Sequence, residues 1–193
     1  MPALLPVLRC CLHARPRHVP GGRAWLGLFL FALLPLTTSA QGLEYRVKAG
    51  FIFNFAKFVQ WPEETLPASV PLRIGVWGPT SVYDTIATNL AGKEVDGHPL
   101  AIFPFDAEIE APHLLFVHAD AEPIPPDLLQ RLSLAHTLII GESPNFASRY
   151  GVIGLVPRGD SLRFQINVAA AKRAQLTLSG QLARLAEIVK DHP

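Results

Sequence analysis

Residues 72–91, LRIGVWGPTSVYDTIATNLA, decide the fold class. The run LRIGVW is apolar almost throughout, as a strand covered on both faces must be, and lacks the alternation of a half-solvated one. Gly78-Pro79 stops it. Ser81 then stands where an N-cap would open a helix to Ala91, with Asp84 at the capping-box position. A buried strand passing through a tight stop into a helix is the unit of an α/β protein.

Downstream, Gly92-Lys93 turns the chain and the same alternation continues. Residues 100–105 (LAIFPF) read as a strand that Pro104 demotes towards an edge, because proline cannot donate to a ladder. HLLFVH at 113–118 is a short apolar strand. AEPIPPDLL opens a helix running to about Leu134, with proline in its first turn. HTLIIG (136–141) and YGVIGLV (150–156) are further strands. Arg158-Gly159-Asp160 turns into LRFQIN (162–167), whose strict alternation pairs it with the preceding strand as a hairpin. Asn167 is placed to cap a short helix over 168–173. Residues 179–189 show helical spacing, with Leu182, Leu185 and Val189 on one face. The expected architecture is α/β: a layered sandwich with a mixed, mainly parallel central sheet, an N-terminal aromatic helix, and a C-terminal β-hairpin plus helix.

Upstream lies VKAGFIFNFAKFVQWP (47–62), with four phenylalanines and a tryptophan. Its helix should run over 44–60 and end before Pro62. At about 100° per residue, Val47, Phe51, Ile52, Phe55, Phe58 and Val59 share one half of the wheel. Arg46, Lys57 and Gln60 take the other, and Phe53 sits among them. An aromatic on the polar face asks for a second partner, so Phe53, Lys57 and Gln60 form a candidate partner or dimer surface.

Residues 1–40 read as an export signal. Arg9, Arg15, Arg17 and Arg23 come with no acid, followed by the apolar run AWLGLFLFALLPL and then TTSA. Cleavage after Ala40 leaves residues 41–193 as a single domain. With those four arginines gone from the 17 Lys and Arg, 13 remain against 16 Asp and Glu, a mildly acidic balance. That argues against nucleic-acid binding, which needs a basic face. Cys10 and Cys11 go with the signal, so thiolate catalysis, disulfides and Cys-zinc sites are excluded from the mature chain.

The remaining polar residues form no set for catalysis. The Gly75-x-x-Gly78 turn lacks the third glycine and the distant acid of a dinucleotide site. His113 and His118 are an odd number apart on a strand and point to opposite faces, so with Asp120 they make no metal set. Ser143 lacks the glycines of a nucleophile elbow. No enzyme activity, cofactor or metal is expected. Arg163, Gln165 and Asn167 share one face of the hairpin strand while Phe164 and Ile166 take the core. A guanidinium beside two hydrogen-bonding neighbours can hold an anion or a partner backbone, which makes these three a candidate ligand or partner contact.

Taken in order, VKAGFIFNFAKFVQWP, LRIGVWG, GKEVDGHPL, HLLFVH, TLIIGES, GVIGLV with LRFQIN, and AAAKRAQLTLSGQLARLA resemble the YfiR family over about residues 43–186. The resemblance implies a periplasmic α/β regulator that binds the periplasmic sensor domain of an inner-membrane diguanylate cyclase. Such binding lowers cyclic-di-GMP signalling and biofilm formation. It also implies relief by an outer-membrane lipoprotein and a capacity to form homodimers. Well-known members use disulfides for redox control, and the mature chain here has no cysteine for that. The reading from another class is a periplasmic small-molecule sensor feeding another membrane receptor, with its ligand at the carboxyl ends of the strands.

Overall fold

The computed structural model describes residues 38–191 except 69 and 109; the export signal read over residues 1–40 lies outside them up to residue 37. A helix α1 (Thr38–Phe58) leads into a two-residue strand β1 (Val59–Gln60). Then come β2 (Leu72–Trp77), α2 (Thr80–Leu90), β3 (Glu94–Val95), β4 (His98–Pro104) and β5 (Leu114–Val117). They are followed by α3 (Pro126–Leu134), β6 (Leu138–Gly141), α4 (Phe146–Arg149), β7 (Ile153–Arg158) and β8 (Ser161–Asn167). The chain closes with α5 (Val168–Arg173), β9 (Thr177–Leu178), α6 (Gly180–Leu185) and β10 (Glu187–Val189).

Eight strands form one sheet in the order β10-β8-β7-β6-β5-β2-β4-β3. The run from β7 to β4 is parallel, β8 turns back antiparallel on β7, and β3 is antiparallel on β4. This is the mixed, mainly parallel sheet that the sequence indicates. Pro104 ends β4 next to the edge, where only two-residue β3 covers it.

Alternation along the central strands splits the core in two. Leu114, Phe116, Leu138 and Ile140 face one side, where α1, α2, α5 and α6 contribute Ile52, Val82, Ala171 and Leu182. Leu115, Val117 and Ile139 face the other, beneath Leu128 and Leu132 of α3 and Phe146 of α4. A strand buried on both faces has no room for polar alternation, which is why LRIGVW and LIIG are so uniformly apolar.

Four sequence readings are corrected. The first helix stops at Phe58, because Val59 and Gln60 leave it to pair with Leu178 and Thr177 of β9. Its buried stripe is Tyr45, Lys48, Ala49, Ile52, Phe55 and Ala56, rotated by about 75° from the one read from the sequence. Val47 is consequently exposed. Two alanines at the centre let α1 sit close, and Phe51 and Phe55 reach Phe164 of β8 edge-on at 6.2 and 5.1 Å. Third, Ser81 is not the cap of α2. Pro79 holds that place and Ser81 lies inside the first turn, where its carbonyl accepts from the Thr85 hydroxyl. Fourth, residues 179–189 are not one helix. The chain becomes extended at Ala186 and β10 adds in parallel to β8, leaving Leu185 exposed.

The linker after β1 is held by His113. Its Nδ1 accepts from the Arg73 amide at 2.9 Å, its Nε2 donates to the Thr65 carbonyl at 3.0 Å, and its own carbonyl accepts from the Trp61 indole at 3.1 Å. That network needs a neutral ring, and burial pushes the His113 pKa below its ordinary 6.5. The unfolded chain then binds the extra proton first, so stability is full above about 6.5 and declines as the pH falls towards the lowered value. Urea midpoints measured between pH 7.5 and 5.5 are expected to fall further for the wild type than for His113→Gln, which cannot titrate; equal slopes would show that this ring is not responsible.

Candidate functional site

The carboxyl ends of β2, β5 and β6 meet at the point where the strand order switches direction, the usual ligand crevice of an open α/β sheet. Here that crevice is filled by the His118 ring and an ionic cluster, apart from a hollow of about 170 Å³ beside Glu44, Tyr45 and Lys48. A Cβ added to Gly78 would stand 2.5 Å from His118 Cβ, so the glycine is what admits the imidazole. His118 Nδ1 accepts from the Asp120 amide at 3.0 Å, which leaves the proton on Nε2, 3.4 Å from a carboxylate oxygen of Glu142.

Around Glu142 lies a saturated ionic cluster. Its carboxylate accepts from the Tyr45 hydroxyl at 3.1 Å and the Ala119 amide at 3.3 Å, and it pairs with the Lys48 ammonium. Lys48 also pairs with Glu44 one turn earlier and lies 4.4 Å from the centre of the Tyr45 ring. Burial, and the Glu142 charge after it, push the Tyr45 hydroxyl pKa well above its usual value, so Tyr45 stays a donor. Lys48 and Glu142 side chains are 4% and 8% exposed, which makes this a buried pair joining α1 to the end of β6. Every member is committed to another, so the cluster fixes α1 on the sheet.

The residues singled out from the sequence fall in two places. Phe53 is half-buried on the flank of α1, packed against the core, with the Lys57 and Lys93 ammonium groups 5.6 and 5.3 Å from its ring centre. Lys57 and Gln60 are exposed, Gln60 beside Thr177 in the β1–β9 ladder. Phe53 thus has a core contact of its own, and its exposed edge is framed by two cations.

Arg163, Gln165 and Asn167 do not form one set. Arg163 is exposed. Gln165 is half-buried beside β10, where its amide donates to Glu187 at 3.2 Å. Asn167 is 1% exposed and fully used. Its carbonyl oxygen caps α5 at the Ala170 amide, 3.0 Å away, and its amide donates to the Ala147 carbonyl and to Asp191 at 2.9 and 2.8 Å. The sequence reading of Asn167 as a helix cap is correct, and that cap occupies the oxygen a ligand would need.

His113 and His118 flank β5 at its two ends and serve separate networks. Lys48 and Glu142 were not singled out by sequence reasoning. The available signal was a lysine at helical spacing from Tyr45, Ile52 and Phe55, which places a charge inside an apolar stripe and so requires a buried counter-ion.

The chain belongs to the YfiR/HmsC-like family, whose model matches residues 45–187, from Tyr45 in α1 to the first residue of β10. Among curated proteins, none matches the chain.

Proposed function

We propose that the protein is an exported, periplasmic regulator that acts by binding rather than by catalysis, and that it represses a membrane-bound diguanylate cyclase by holding its periplasmic sensor domain in the inactive state. The family match over residues 45–187 carries this reading. Repression of this kind needs only differential affinity for one of two states. In this reading residues 1–40 are the cleaved signal, residues 41–193 are the working domain, an outer-membrane lipoprotein is the competing partner, and the domain is able to form homodimers.

Phe53 and its two lysines are the proposed contact. An aromatic edge framed by cations fits a partner pocket rimmed with carboxylates, the arrangement common at interface hot spots. Lys57→Glu reverses one charge without disturbing the half-buried ring, and Phe53→Asp removes the ring. Both should weaken capture of the cyclase sensor domain encoded nearest this gene by about tenfold or more. Arg163→Ala tests the second surface and should raise cellular cyclic-di-GMP while leaving the melting temperature unchanged. Unaltered capture by both α1 variants, with unaltered dimer mass, would remove α1 from the interface.

A further inference from the structure

A cavity of about 410 Å³ opens on the α3 and α4 side of the sheet, against about 150 and 170 Å³ for two smaller hollows elsewhere. It lies at the amino-terminal ends of β6 and β7, at the far end of the strands from the filled crevice beside His118. Its size falls within the range of small-molecule sites, and so does its character, an apolar interior with a few polar groups at its margin. Leu129 and the exposed Leu134 are its accessible apolar lining, next to the buried Ile139, Ala147 and Val152.

Charge at the margin is unequal. Asp191 accepts from Arg173 through two nitrogens at 2.7 and 2.9 Å, and that bond, with the Asn167 amide, holds its carboxyl down at about 2. Arg173 is therefore neutralised within the wall. Arg149 is not. Its guanidinium stacks 4.6 Å from the Tyr150 ring centre and donates to the Tyr150 hydroxyl at 2.6 Å, and it enters no ion pair among the described residues. The lining thus holds two guanidinium groups and one carboxylate. The contact with Tyr150 restrains the guanidinium, and among the described residues its other N–H groups make no hydrogen bond.

We infer that this cavity is a binding site for a small organic monoanion with an apolar body, whose carboxylate pairs with Arg149 while the body lies against Leu129 and Leu134 of α3. The site stands independently of which protein the regulator binds, and a ligand there would bear on α3, α4 and α5, which all line it.

Phenylpropionate is a suitable probe, with phenylpropanol as its uncharged counterpart. Calorimetric titration of the purified protein, with ligand-observed NMR, should show saturable binding of the acid and binding about tenfold weaker for the alcohol, the difference a charge-assisted pair supplies. Arg149→Gln lies on the surface and should bring the acid down to the level of the alcohol while leaving the alcohol unchanged. Ala170→Trp, at a half-buried lining position, should abolish both with the melting temperature kept. No saturable binding of the acid, equal affinity for acid and alcohol, or full binding in either variant would overturn the proposal. None of these measurements involves a cyclase, so their failure is distinct from failure of the repressor reading.

Discussion

Lys48→Met is expected to destabilise the domain by about 3 kcal/mol, because removing one partner of a buried ion pair strands the other. Glu142 would keep its bonds from Tyr45 and the Ala119 amide but lose the Lys48 ammonium. For a domain of this length the loss corresponds to roughly 6–12 °C in Tm. Arg46→Met, two residues earlier on the exposed face, should change stability by less than about 0.5 kcal/mol. The decisive comparison is a double-mutant cycle. Glu142→Gln removes the charge while its amide oxygen can still accept from Tyr45, so Lys48→Met combined with Glu142→Gln should lose less than the two single losses together, with a coupling of about 1–3 kcal/mol. Strict additivity would show that the pair is not coupled and that α1 is held by its apolar stripe alone.

Phe146→Ala should be the costliest single change on the other face of the sheet, at about 3–5 kcal/mol. The ring is completely buried at the start of four-residue α4, beneath Tyr150 at 5.8 Å. Two glycines make room for it. A Cβ on Gly141 would overlap the ring itself, and one on Gly151 would come within 2.5 Å of Phe146 Cε1. Such a fitted ring leaves a cavity that a short helix between two strands cannot close. Gly141→Ala approaches the same contact from the other side and should cost about 1–3 kcal/mol through overpacking. Urea unfolding at a single pH measures both. A loss below 1 kcal/mol for Phe146→Ala would mean that α4 collapses freely and is not an integral part of the core.

The central strands were legible because burial on both faces leaves an unambiguous apolar run. The hairpin was legible because the Arg158-Gly159-Asp160 turn leads from an apolar run into the strictly alternating LRFQIN, and the Asn167 cap because its side chain acts within three residues. What escaped is what depends on distant partners. Residues 179–189 carry a helical pattern, yet the edge of β8 offers ladder bonds that the chain takes up as β10 once α6 ends at Leu185. The two-residue strands β1 and β9 are too short to show any period. Lys48 was obscured because the aromatics around it drew the stripe away from the true one, and its counter-ion lies 94 residues further on. At the candidate surfaces, residue type predicted position only where local hydrogen bonding governs. Asn167 was placed correctly as a cap, whereas its grouping with Arg163 and Gln165 followed strand alternation and could not anticipate β10.

The β1–β9 ladder has a consequence for the order in which the fold can be completed. The Phe58 carbonyl accepts from the Ser179 amide at 2.9 Å, and Val59 pairs with Leu178. Helix α1 therefore leaves the ribosome before every other described element, while the residues that seat its end are among the last to follow. Until Phe164 and Leu178 arrive, Phe51 and Phe55 have no aromatic partner on the sheet. Such long sequence separation slows folding and prolongs exposure of apolar surface. A growing chain can dock α1 on α2 early, but the Phe51 and Phe55 rings lack Phe164 until β8 has been made, and this leaves part of the most aromatic helix open during synthesis.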